Sequence, residues 1–388
     1  MKIFHCDVRR VWAGGQTQLL RLAVGLRERG HLQWIVTRPE SPLAGRARKE
    51  GFEVLAHPFR GEVDPRATLG LRRMIARHAP EVVHTHDTHS LTPAALAARL
   101  VRPRPLVVAH RRVDFHIRAN AFSRWKYAHG ADHLIAVSRR VKEVLVEDGV
   151  PPSRVTVIHS GIALDTPPPP EGPDLRTRAG APAGTPLVLT IASTEAYKDH
   201  PTLIDAAGLL FERRPDVWWA VLGTGGLFEA TLARAERRGL ADRLRYLGFV
   251  EGARGLLPQA DLFVLTSRTE GLGTSILDAM AAGIPVVATA AGGIPEMVDH
   301  ERTGLLVPPG DAAALALAIE RVLGDPALGR RLADAARVRV RDFDVGRTIE
   351  RTEELYGRLL ADRRPPDGPA GGRGYLIRRN DSSARKGS

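Results

Sequence analysis

The chain has little of what would place it in several protein classes. Its 388 residues include one cysteine, Cys6. No internal disulfide can form, which suits a reducing compartment. Cys6 lies in the first apolar run and reads as a small buried hydrophobe. Aromatic residues are only 5% of the chain, and no basic stripe with interleaved aromatics stands out, so nucleic acid is not expected as a partner. No apolar run reaches the ~18 residues a membrane-spanning helix needs. The opening Met1-Lys-Ile-Phe-His-Cys6 holds no apolar region of signal-peptide length. Together these absences lead to a cytoplasmic expectation.

What is present is charge and regular alternation. Lys and Arg outnumber Asp and Glu by 56 to 44, with a formal net charge of +12. Such a balance fits an anionic membrane face, a polyanionic substrate or simply an arginine-rich composition. The arginines are scattered along helices such as Arg21 to Arg29 and Arg234 to Arg238 with glutamates among them. Apolar residues make up 43%, enough for packed cores, and the length suits two domains.

Strand and helix patterns alternate throughout, which predicts parallel sheets with helices on both faces. Strands are expected near 2–6, 33–37, 53–57, 81–86, 106–110, 133–138 and 154–159, with helices between them such as Gln16 to Arg29, ended by Gly30. Asp165-Thr-Pro-Pro-Pro-Pro-Glu-Gly-Pro173 cannot form helix or sheet and reads as a semi-rigid spacer. Alternation resumes with strands near 186–191, 217–222, 244–248, 261–266, 285–289 and 304–307. The expected fold class is therefore α/β, with two Rossmann-like, doubly wound parallel-sheet domains. They cover 1–163 and 186–344, joined by a linker at 164–185. A last helix is expected over 345–361, and a disordered basic tail over 362–388.

The most informative stretch is Glu270-Gly-Leu-Gly-Thr-Ser-Ile-Leu-Asp278, which follows the apolar strand Asp261-Leu-Phe-Val-Leu-Thr266. Gly271 and Gly273 delay the helix and let a ligand approach the backbone. Thr274 or Ser275 can then cap a helix through Ile276, Leu277, Ala279 and Met280. One carboxylate sits on the loop and another on the helix. Between them the free N–H groups of a helix N-terminus suit an anion. Carboxylates suit sugar hydroxyls, so the pattern describes a sugar-nucleotide site, unless Glu270 is merely an incidental acidic residue on an ordinary strand–loop–helix.

This arrangement resembles the acidic pair with seven intervening residues of the retaining glycosyltransferases of family 4, which have the GT-B fold. The family pattern has two glutamates; here the second is Asp278. Further segments match in family order, from Gly14 to about Tyr356. The Gly14-Gly15 loop after the first strand lacks the full dinucleotide fingerprint, and Thr37-Arg38-Pro39 ends the second strand where a ribose-binding acid would sit in an NAD site. Other matches are Leu222-Gly-Thr-Gly-Gly226, Leu247-Gly-Phe-Val250 and Ala291-Gly-Gly-Ile-Pro-Glu296, with Glu296 more structural than catalytic. Lys198, beyond the strand at 187–191, can meet a pyrophosphate as a point charge. The family's arginine five residues earlier is Ser193 here, so phosphate grip would fall to Lys198, helix N-termini and an arginine elsewhere that the sequence does not place.

The resemblance implies an active site in the cleft between the domains and a final helix that crosses back onto the first. It implies donor binding by Gly15, Gly223, Val250, Glu270, Gly271, Gly273, Thr274 and Asp278, the last through the ribose. Catalytic roles fall to His110 at the end of its strand, to Glu270 and to Lys198, the last by neutralising charge on the leaving diphosphate. His84, His86 and His89 look like a metal cluster, and His84 and His86 share one face of a strand. The following loop leaves no clear third ligand, so no metal is expected. No other cofactor is expected either, on the reading that the sequence shows no Asp-x-Asp metal motif of the other main glycosyltransferase fold. The implied activity is transfer of a hexosyl group from a nucleoside-diphosphate sugar to a glycan or lipid-linked acceptor, in cell-surface polysaccharide or lipopolysaccharide synthesis, with peripheral contact to an anionic membrane. The alternatives are a sugar-nucleotide 2-epimerase of the same fold and a non-catalytic sugar-nucleotide binder.

Overall fold

The computed structural model describes residues 1–117 and 121–363; the greater part of the expected basic tail therefore lies outside the described residues. Each of the thirteen expected strands is present. In the first half they are β1 (Lys2–Cys6), β2 (Leu32–Thr37), β3 (Glu53–Ala56), β4 (Val82–Thr85), β5 (Leu106–Arg111), β6 (His133–Ala136) and β7 (Val155–Val157). In the second half they are β8 (Leu187–Ile191), β9 (Trp218–Leu222), β10 (Leu244–Tyr246), β11 (Leu262–Leu265), β12 (Val286–Thr289) and β13 (Leu305–Val307). The central strands are buried over their whole length, as in β4, β5 and β11, and helices cover both faces. Continuous apolar runs such as Leu262-Phe-Val-Leu265 can form only this kind of doubly covered parallel strand.

The seven-stranded sheet has the order β3-β2-β1-β4-β5-β6-β7, and the six-stranded sheet β10-β9-β8-β11-β12-β13. All pairings are parallel. Each order reverses once, between β1 and β4 and between β8 and β11, and ligands of such sheets bind beyond the strand ends at that reversal.

The chain passes twice between the sheets, and the two passages lie side by side. Ile162 and Asp344 form an isolated parallel bridge, with Ile162 N–H donating to Phe343 O and Val345 N–H to Ile162 O, each at 2.9 Å. The final helix, Val345–Ala361, then packs on the first sheet. Its Ile349, Leu355 and Tyr356 share an apolar cluster with Ile3, Leu22, Leu26, Val82 and Val108. Residues 165–173 carry neither helix nor strand. The rest of the expected linker differs from a plain spacer, because Asp174 caps a short helix, Leu175–Ala179, accepting from Thr177 N–H at 2.7 Å. Leu175 and Ala179 are fully buried, so local packing overrides the Pro-rich context.

Candidate active site

A cavity of about 550 Å³ lies between the two sheets, walled by residues that follow strand C-terminal ends. From the first domain come Arg9, Trp12, Gly14, Gly15 and Gln18 after β1, Arg112 and Val113 after β5, and Ser160 after β7. From the second come Ser193, Tyr197 and Lys198 after β8, Gly223 after β9, Phe249 and Val250 after β10, and Glu270, Gly273, Thr274 and Ser275 after β11. Of the residues expected to bind donor, Gly15, Gly223, Val250, Glu270, Gly273 and Thr274 therefore share one wall system, as does Lys198.

The helix of the acidic loop runs Thr274–Ala282 and begins differently from the sequence expectation. Its cap is Gly273, at φ 87°, and no side chain caps it. Thr274 is the first helical residue, so its hydroxyl leaves the first-turn N–H groups uncovered. Only glycine holds that left-handed backbone without strain. The uncovered N–H groups, with the helix dipole, face the cavity as an anion-binding end. The Gly14–Glu28 helix opens the same way: Ala13 is its cap, with no side-chain acceptor, and Gly14 and Gly15 are its first residues instead of a preceding loop.

Glu270 is held from several sides. Its carboxylate pairs with the Lys198 ammonium and accepts from Ser267 Oγ at 3.0 Å. Its N–H donates to Asp114 Oδ2 of the first domain at 3.1 Å, and its carbonyl accepts from Gly293 N–H at 2.9 Å. Burial, and the nearby Glu270 charge, raise the Asp114 carboxyl above the usual range. Gly271 does not line the cavity; a Cβ there would lie 2.0 Å from the Arg112 carbonyl oxygen, so glycine is required where the domains touch.

Glu296 joins the domains as well. Its carboxylate accepts from Arg139 and Arg140 N–H at 3.0 and 3.1 Å and contacts His159 Nε2 at 2.8 Å. Burial raises this carboxyl, but the His159 bond and the two N–H groups outweigh burial and hold it below the usual range.

Besides Gly271, two expected site residues lie outside the cavity lining. Asp278 does not line the cavity. Its Oδ1 pairs with Arg254 Nε at 2.9 Å, and Arg254 also donates to the carbonyl of Asp165 at 2.7 Å. Burial raises the Asp278 carboxyl, while Arg254 and Arg21 pull it down. The side chain is committed to arginines that the sequence pattern could not associate with it. His110 is likewise behind the wall: it stacks on His84 with centroids 5.4 Å apart. Its Nδ1 lies 3.3 Å from Arg112 Nη2. Arginine can only donate, so Nδ1 accepts and the proton sits on Nε2, a buried atom without a partner. Burial, then Arg112 and His84, push His110 well below the usual histidine range. Its access to the cavity runs through Arg112.

The histidine cluster gains the third member that its own loop could not supply. His5 of β1 pairs in register with His84, and nitrogens of His5, His84 and His86 lie within 4.8 Å of one another. His5 Nδ1 is 3.0 Å from His86 Nε2, and His84 Nδ1 is 2.6 Å from the Tyr356 hydroxyl. His89 instead faces Glu62 at 3.3 Å, exposed. Burial lowers His5 to about 4, so these rings are neutral, and neutral imidazole is the ligand form. His5 Nε2 also contacts Gln33 Oε1 at 2.8 Å, while His84 Nε2 and His86 Nδ1 are buried without a partner, and the Arg112 charge nearby opposes a further cation. The chain also holds one Asp-x-Asp, Asp342-Phe-Asp344. It is spent on structure: Asp342 pairs with Arg339 and Arg347, and Asp344 caps the final helix.

Sequence reasoning missed most of the first-domain wall. Trp12 carries the Arg46 guanidinium 4.4 Å above its ring, and Arg46 reaches across to Glu251 at 2.7 Å. Arg9 is fixed by the buried Asp7 at 2.7 Å. The one available signal was the Arg111-Arg112 pair at the end of the buried strand β5, whose last residue is Arg111.

Residues 12–166 match the family described as Glycosyltransferase Family 4, and residues 173–339 the family described as Glycosyl transferases group 1. The chain is 29% identical over 307 residues to the putative glycosyltransferase EpsD of Bacillus subtilis, covering 75% of this chain and 80% of that protein. It is 31% identical over 306 residues to the glycogen synthase of Mycobacterium tuberculosis, covering 75% and 72%. Other curated relatives are spanned over only 53–55% of their length. The chain belongs to the group 1 glycosyl transferases, which are transferase enzymes. Its fold is GT-B: Anabaena Alr3699/HepE, crystallised with UDP and glucose, superposes with a TM-score of 0.80 at 22% identity, over 92% of this chain and 100% of that one.

Proposed function

We propose that the protein transfers a hexosyl group, with retention, from a nucleoside-diphosphate sugar to a glycan or lipid-linked acceptor, in cell-surface polysaccharide or lipopolysaccharide synthesis. The observation that carries the reading is the shared cavity wall of Glu270, Lys198 and the uncapped Gly273–Thr274 helix start. A carboxylate suits sugar hydroxyls, and a cation with free N–H groups suits the leaving diphosphate. Glu270 is held by Lys198 and Ser267, a placement that suits hydrogen bonding to the sugar better than attack on it. Front-face attack assisted by the leaving phosphate is the mechanism family 4 implies. The acceptor enters along the first-domain wall. The reaction uses the chain's own cations and no divalent metal, so excess EDTA leaves turnover unchanged. Among the described residues no helix is long and apolar enough to cross a membrane; the reading places the enzyme at the cytoplasmic face, reached from solution.

The test is a thermal-shift panel of UDP-, GDP- and ADP-sugars, followed by transfer to glycan acceptors with the anomeric configuration read by NMR. An inverted product would end the retention reading. A C2-epimer formed from donor alone would replace transfer with epimerisation.

A further inference from the structure

Three cations of the cavity wall differ in how their charge is met. Lys198 is paired with Glu270, and Arg9 with Asp7. Arg112 makes no ion pair among the described residues. Its Nη1 donates to Ser160 Oγ at 2.9 Å and its Nη2 to His110 Nδ1 at 3.3 Å, both neutral partners, and its Nε is buried without a partner. Burial, then the neighbouring Arg9 charge, lowers this guanidinium to about 9 against the pull of Asp7. A half-buried cation whose Nε is buried and unpartnered is costly to keep without a counter-charge unless something supplies one.

Its position says what would. A Cβ on Gly15 would lie 2.7 Å from Arg9 Nη2 and 3.2 Å from Arg112 Cδ, so both arginines converge on the uncapped start of the Gly14–Glu28 helix. The Arg112 carbonyl meanwhile packs on Gly271, one residue from Glu270. Across the same cavity stands Ser193, where the family resemblance leads one to expect an arginine.

We infer that Arg112, backed by Arg9, is a phosphate-binding residue that meets the donor's diphosphate from the first domain and supplies the cation missing at Ser193. The inference rests on the donor reading above. It makes the diphosphate a bridge between domains: Lys198 and the Thr274–Ala282 helix hold one side, Arg112 and the Gly14–Glu28 helix the other. His110 then acts as a positioning residue, its neutral ring accepting from the guanidinium and orienting it.

The experiment is calorimetric titration of the full chain with UDP, GDP and ADP, and with the matching nucleoside. For whichever diphosphate the parent binds, Arg112→Ala weakens affinity about tenfold or more, the scale of one lost charge-assisted hydrogen bond, and leaves nucleoside affinity unchanged. Arg112→Gln removes the charge while keeping polar contact with Ser160 and carries the same expectation if the alanine variant does not fold. Diphosphate affinity within roughly twofold of the parent, below the usual scatter of surface substitutions, overturns the inference and leaves the donor reading standing. So does an equal loss for nucleoside, which would mean general damage. If the parent binds none of the three diphosphates, the donor reading falls and takes the inference with it.

Discussion

The two walls of the cavity hold charge differently. On the second-domain side the cavity-lining Lys198 and Glu270 are matched to each other within their own domain. On the first-domain side Arg112 has no acid of its own, and Arg46 finds its acid only across the cleft, in Glu251. Among the described residues, the cation without an acidic partner therefore belongs to the first wall. On the proposed function, unpaired charge suited to the donor's phosphates sits on the first domain, so closing the cleft around a diphosphate would be favoured from both sides.

The comparison can be broken most severely at Glu270, where the proposed function has the second wall meet the sugar. Glu270→Ala is expected to lower kcat/KM by about 10²-fold or more, the scale for removing one transition-state hydrogen-bonding group. The circular dichroism spectrum stays that of the parent, because the residue lies on a loop. An active Glu270→Ala enzyme would detach the loop from the chemistry.

Asp278 and Arg254 come next, and the expected damage is to folding. Asp278→Ala strands two arginines in a part-buried site, and the loss is about 3 kcal/mol, typical of breaking a buried pair. Arg254→Ala gives a similar loss, and the double variant less than the sum. Denaturant unfolding measures all three. If both single variants are as stable as the parent but lose nucleoside-diphosphate affinity, Asp278 serves the ribose after all.

Glu296 tests the join between the walls. Its carboxyl is held below the ordinary value of 4.5 in the folded chain, so the unfolded chain binds more protons across that window. Stability from Glu296 is present above the ordinary value and is lost as pH falls through the folded one. Glu296→Gln should lower stability by about 2 kcal/mol at neutral pH and flatten the acid limb of the stability–pH curve. An unchanged limb would mean that the interdomain contact contributes nothing.

The smallest effect is expected at Arg46. Its partner Glu251 is largely exposed, and such pairs contribute at most about 0.5–1 kcal/mol. Arg46→Ala therefore leaves stability nearly unchanged, as denaturant unfolding would show.

What the sequence determined by itself was everything decided by short range. Thirteen strands could be read because buried parallel strands are continuous apolar runs, and the spacing of Gly271 and Gly273 put a ligand-facing loop at the end of β11 because backbone permissiveness is local. The order of segments along the chain placed Gly15, Lys198, Gly223 and Glu270 at strand ends, and strand ends meet in doubly wound sheets. Tertiary structure decided the partners. Asp278, expected at the ribose, pairs with Arg254, which also donates to the linker carbonyl of Asp165. His5 became the third member of the histidine cluster only through the register of β1 on β4. Arg112 emerged as the uncompensated cation because its neighbours come from three separate segments: Gly15, Ser160 and Gly271. Periodicity carries no information about contacts between residues a hundred positions apart, and a charge's meaning depends on which opposite charge is packed against it.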